Sequence, residues 1–254
     1  MLFSKPKPTV TPEDKAWVEE AFLWFEQEYG REYLKTVNII EPTNAFFDRN
    51  FDQSEKDAEY ILEKVCQWME IKGVKINLYF FTDTPMEFTD EGVLARISEG
   101  DEDQYDLGQY SEAGNNTFNI GIERSLLHDL EKLTATIAHE LSHLILLGEG
   151  RLEENDEPLT DLNCIVLGLG IFLSNSIFSF QQWHGTSHQG WNTTRGHYIP
   201  EQVAAYAMAL FQSYQGGSDD WIKYLNSGVK KMYIKNMKYI KANRRDISFL
   251  NPFG

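Results

Sequence analysis

One segment constrains this chain more than any other: Leu133-Thr-Ala-Thr-Ile-Ala-His-Glu-Leu-Ser-His-Leu-Ile-Leu-Leu147. Its apolar residues recur at helical spacing and end in a continuous Leu-Ile-Leu-Leu run, so the helix it predicts is too apolar to be solvated. Yet it carries His139, Glu140 and His143. Polar groups on a buried helix need partners. The two histidines are four residues apart, so both imidazoles leave one face and can hold a single metal ion. Glu140 sits about 100° further round, within reach of a bound water without being a ligand itself. That division of labour is the mechanical content of H-E-x-x-H, and the expected metal is zinc.

Zinc held by imidazoles acidifies water toward a pKa of about 7 and polarises a carbonyl. Glu140 is then the expected base, taking a proton from the water and passing it to a leaving amine. A third protein ligand is required, with an open fourth position if the site is catalytic. The metzincin pattern would place glycine and histidine at positions occupied here by Leu146 and Glu149, which excludes that class. The acids from Glu149 to Asp161 remain. Asp156 reads as a helix cap, with Glu157 and Pro158 in the first turn. Glu157 and Asp161 then share one face, so one can ligate zinc while the other accepts the spare N–H of a ligating histidine. Glu157 is the expected ligand and Asp161 the alternative. Glu149, Glu153 and Glu154 lack this geometry and are expected in solvent.

The surrounding pattern predicts an α+β fold. Residues 1–11 read as a mobile, Pro-rich lead and 12–254 as one domain, with helices and sheet at 12–124 and a helical zinc-binding part at 125–254. Thr11-Pro12-Glu13-Asp14 opens a helix running to about Leu34, and a second follows Ser54. Val74–Thr82, Leu107–Ser111 and Thr117–Ile122 alternate as strands of a small antiparallel sheet, the last two joined by Ala113-Gly114-Asn115-Asn116. Asp83–Asp106 reads as an acidic surface loop. Helices are expected at 125–147, 158–181, 200–215 and 219–242.

A net charge of −16 argues against nucleic acid as a partner. The charge is uneven: from Trp221 onward there are eight Lys or Arg and one acid, Asp246, leaving −23 on the preceding residues. Such a basic helix can lie on a membrane surface or simply dock on the acidic body. The run Cys164–Leu173 is about half the ~20 residues that span a bilayer, so no membrane span is expected. Cys66 and Cys164 read as buried free thiols, MLFSKPKPTVTPED carries no apolar leader, and a cytoplasmic setting is expected.

His139-Glu140-x-x-His143 followed by Glu157-x-x-Thr160-Asp161 resembles the gluzincin pattern of thermolysin-like zinc metallopeptidases. Asp156 stands where that pattern has Asn, and the gap between the helices is shorter. Leu159-Thr-Asp-Leu162, Leu167-Gly-Leu-Gly-Ile-Phe172 and Gly196-His-Tyr-Ile-Pro200 are similar to a group of uncharacterised bacterial HExxH proteins, over roughly residues 117 to 215. The resemblance implies a peptide or protein substrate aligned on an edge strand, for which Thr117–Ile122 is the candidate. It also implies an oxyanion donor downstream, where the loop 182–199 offers Tyr198 first, then His197 and Arg195. The competing expectation is a binding or structural protein that keeps zinc as a fold element.

Overall fold

The computed structural model of the chain describes residues 5–82, 86–88, 94–96, 108–114, 116–183 and 198–251. Thr11 caps the first helix, α1 (Pro12–Tyr29), by accepting the amide of Asp14 at 3.1 Å. The expected run to Leu34 breaks at Gly30, which takes a φ of 85°, and α2 (Arg31–Thr36) follows. The N-terminal lead is tied down from Thr9: its amide donates to Asn236 Oδ1 at 2.8 Å, and Val10 is buried. In α3 (Glu55–Trp68), Ala58, Ile61 and Val65 form the buried stripe.

Among the described residues five strands follow: β1 (Lys75–Phe81), β2 (Met86–Phe88), β3 (Leu94–Arg96), β4 (Gly108–Gly114) and β5 (Thr117–Glu123). The short β2 and β3 pair with each other, inside the stretch expected as a surface loop. The main sheet has the order β1-β5-β4. As expected, β4 and β5 form an antiparallel hairpin, but β1 pairs with β5 in parallel, Lys75 opposite Thr117 through Phe81 opposite Glu123. The sheet is therefore mixed rather than antiparallel. Parallel neighbours need a long crossover, and the segment holding β2, β3 and β4 provides it.

This order also corrects the edge-strand expectation. β5 is the central strand, with its backbone groups taken up by β1 on one side and β4 on the other, so it cannot align a peptide by main-chain pairing. Phe118, Ile120 and Ile122 point from it into the core. Among the described residues, β4 pairs with β5 alone, and it packs against the next helix.

That helix, α4 (Leu130–His143), follows a short 3-10 turn and is capped by Asp129, which accepts the amide of Lys132 at 3.1 Å. Every residue from Leu133 to His143 is buried, because α3, the sheet and two later helices surround it. It relaxes into a π turn at Leu144–Gly148. Next, α5 (Glu157–Cys164), a π turn (Ile165–Leu169) and α6 (Gly170–Trp183) make one interrupted rod. The interruption is Gly168, with a φ of 91°, where a Cβ would sit 2.1 Å from the Asn38 carbonyl oxygen. Its own carbonyl accepts the Ile40 amide at 2.9 Å, so only glycine fits. Glu157–Ile177 is long and apolar enough to cross a membrane by composition, and its most apolar 18-residue window is wholly buried inside the protein. It is the core against which α4 packs. α7 (Glu201–Gln215) and α8 (Ser227–Ala242) close the fold, packed on each other. The architecture is α+β.

Candidate metal centre

The site is assembled where α4 meets the start of α5. Asp156 caps α5, its carboxylate accepting the Leu159 amide at 3.0 Å, with Pro158 in the first turn. This cap makes Glu157 the first helical residue and directs it toward α4. Asn155 donates to Glu157 Oε1 at 2.8 Å. The other oxygen, Oε2, lies 3.1 Å from His139 Nε2 and 3.2 Å from His143 Nε2. The two Nε2 atoms are themselves 3.1 Å apart.

Three nitrogen and oxygen donors thus form a nearly equilateral triangle. Tetrahedral ligands at zinc distances of 2.0–2.2 Å lie about 3.3 Å from one another, so the triangle fits such an ion. Two imidazoles with one carboxylate is also the donor chemistry of a zinc site that keeps a position open. The trio is the group among the described residues able to hold a metal ion. Glu153 and Glu154 are exposed, and the exposed Glu149 is paired with Arg151.

Asp161, one turn beyond Glu157, is completely buried. It does not join the triangle. Its Oδ1 lies 2.9 Å from His139 Nδ1, and its Oδ2 accepts the amides of Tyr198 at 2.6 Å and Ile199 at 3.1 Å. Asp161 therefore fixes the ring that presents Nε2 to the metal position and pins the chain entering α7. A contact of 3.3 Å between Ser142 and Cys164 ties the two helices together one turn away. Burial drives the Cys164 thiol well above its ordinary range, keeping it a neutral packing group.

The electrostatics are those of a cation site. Burial disfavours charge on His139, but hydrogen bonds to Asp161 and Glu157 and the charge of Glu140 outweigh it, lifting its pKa to about 10. Burial opposes ionisation of Glu157 too, yet the two histidines hold its carboxyl well below the usual carboxylate range. A proton on His139 thus satisfies the carboxylates that surround it. Glu140 is buried, at 5% exposure, and sits outside the triangle.

The downstream loop divides. His197 and Arg195 lie outside the described residues. Tyr198 is described, and its ring stacks on His139 with centroids 5.7 Å apart and 19° between planes. Tyr79, which the sequence did not single out, also belongs to this neighbourhood. It stands opposite Gly121 in the β1–β5 register, and a Cβ on Gly121 would meet its phenol oxygen at 2.6 Å. The ring thus lies over β5 at Gly121, where a side chain would have to displace it. Partial burial and the nearby Glu140 carboxylate push the Tyr79 phenol up, keeping it an O–H donor. The signal for it was the strand alternation around Tyr79 and Gly121, but only the parallel register joins the two. Compared with known protein families, curated proteins and solved structures, the chain gives no match.

Proposed function

We propose that the chain is a zinc-dependent hydrolase that cleaves a peptide bond, organised in the gluzincin manner. The observation that carries this reading is Glu140, a buried carboxylate next to a His139–His143–Glu157 triangle and not part of it. A site that only braces a fold has no use for such a group and is usually closed by a fourth ligand.

Zinc held by His139, His143 and Glu157 supplies Lewis-acid activation of water and carbonyl. Glu140 takes the proton released by the attacking water and delivers it to the leaving nitrogen. Asp161 keeps His139 in the tautomer whose Nε2 lone pair faces the metal position. Negative charge developing on the carbonyl oxygen calls for an O–H donor, and among the described residues Tyr198 and Tyr79 are phenols near the site. The β4 edge, which packs along α4, is the strand available for pairing with an extended substrate.

The test is a metal assay run beside peptide-library cleavage read by mass spectrometry. Wild-type protein is expected to hold about one zinc per chain and to cleave, and Glu140→Gln to keep the zinc and lose cleavage. Tyr198→Phe and Tyr79→Phe in the same assay identify the donor as the phenol whose loss lowers kcat about 10²–10³-fold. A chain that binds no zinc sinks the proposal.

A second reading draws on the burial of both histidines, at 5% and 6% exposure: a binding or structural protein stabilised by zinc. It predicts that Glu140→Gln is silent in every assay while His139→Ala unfolds the protein.

A further inference from the structure

The outer face of α8 is a strongly charged feature that the zinc site does not use. The helix contains five lysines and no acid. Val229, Tyr233, Asn236 and Ile240 form its buried stripe against α7. Lys231, Lys235, Lys238 and Lys241 all fall on the exposed side, followed by exposed Arg245. Among the described residues no ion pair involves any cation from Trp221 onward. Of the acids around the helix, Asp219 accepts the Tyr233 hydroxyl at 3.2 Å, Asp246 follows the last turn, and Glu201 of α7 approaches the first turn at Gly228. The lysines are therefore not there to grip the acidic body, which α8 meets with its apolar stripe.

Two more observations say what would cover this face. Ile234 stands among the lysines at 39% exposure, one of two large hydrophobic residues exposed in the described part of the molecule. And the N-terminal lead is fastened to the same helix, Thr9 to Asn236, with exposed Lys5 and Lys7 a few residues before that anchor. From Lys231 to Lys241 the row of cations is about 16 Å long. The face is a row of lysines around one bare isoleucine, all on the exposed side of a single helix. Among the described residues it offers no exposed aromatic ring for stacking bases. It suits a flat anionic surface into which a single apolar side chain can dip.

We propose that the exposed lysine face of α8 docks this protein on an anionic phospholipid bilayer. The acidic body is repelled by the same surface, so it orients away and leaves α8 facing the lipid. This inference is independent of the hydrolase reading, since none of its residues touches the metal centre.

The experiment is co-sedimentation of the full chain with phosphatidylcholine vesicles, with and without phosphatidylserine, at low and physiological salt. Binding is expected only with phosphatidylserine and weakens as salt rises. Charge reversal at Lys231, Lys235 and Lys238 together lowers the affinity at least about a hundredfold, with the melting temperature unchanged. Ile234→Ser gives a several-fold loss and the same salt dependence. The proposal is overturned if phosphatidylserine vesicles are not bound, or if the triple reversal leaves binding intact. It is equally overturned if duplex DNA is bound as tightly as the vesicles, or if the face proves to hold a second copy, seen as a dimer in sedimentation that the triple reversal dissolves.

Discussion

α4 and α8 are helices of similar length, 14 and 16 residues, and each carries several ionisable groups. They dispose of them in opposite ways. α4 is buried on all sides from Leu133 to His143, and its two histidines are met by Glu157 and Asp161 from α5. α8 buries one stripe and turns its lysines to solvent. The physical reason is the cost of desolvation: a charge kept inside must be matched by opposite charge and hydrogen bonds, whereas a charge outside needs nothing from the fold. Inside, then, each polar group is a statement about its neighbours. Outside, it is a statement about what the protein meets.

The sharpest way to break this contrast is to titrate the buried partner set. In zinc-stripped protein His139 has its pKa raised from 6.5 to about 10. The folded state then keeps a proton that the unfolded chain has released, so the stabilisation is whole below about pH 6.5 and is lost as pH rises through about 10. Thermal melting of chelator-treated protein is expected to fall across that window, by an amount on the order of a few kcal/mol. Adding zinc at neutral pH should release that proton to the buffer. A chelated protein whose melting temperature holds or climbs from pH 7 to pH 10 would show that the carboxylates around His139 do not act as a cation site.

Asp161→Asn gives the next largest effect. The amide keeps the shape but loses the charge that orients His139, and it can no longer accept as strongly from the amides of Tyr198 and Ile199. Zinc affinity should drop about 10–100-fold, which is about 1.4–2.7 kcal/mol, in a competition titration with a chromophoric chelator. An unchanged affinity would mean that α5 contributes only Glu157 to the site.

The same inside–outside contrast explains which parts were legible in the sequence. His139, Glu140 and His143, and Glu157 with Asp161 behind it, were readable because helix periodicity and the Asp156-Glu-Pro cap are local signals. They fix which side chains share a face without knowledge of the fold. The sheet was readable as strands but not in its order. Nothing local states that β1 lies parallel to β5, so β5 passed for an edge strand and Tyr79 stayed unnoticed. Gly168 is a similar case: the sequence shows a glycine in an apolar helix, and only the approach of Asn38 explains it. The lysines of α8 were visible, but their freedom from ion pairs was not, because pairing is decided by which surfaces meet.

The smallest effects lie on α8 and separate its two faces. Asn236 is fully buried and exchanges hydrogen bonds with Thr9 at 2.8 Å in both directions. Asn236→Ala should lower stability by about 1–2 kcal/mol in denaturant unfolding, and free the N-terminal lead to proteolysis. Lys235, its immediate neighbour, is exposed and unpaired in the described residues, so Lys235→Ala should stay within about 0.5 kcal/mol of wild type. Adjacent positions on one helix would then differ because one side chain replaces water with protein and the other keeps its water. Were Lys235→Ala as damaging as Asn236→Ala, the lysine row would be holding the fold together through long-range attraction to the acidic body. Screening by salt would then soften that loss, and the row would no longer be a surface kept for something outside the molecule. A silent Lys235→Ala leaves the row without any structural use, which is the condition under which its conspicuous charge has to be explained by a partner.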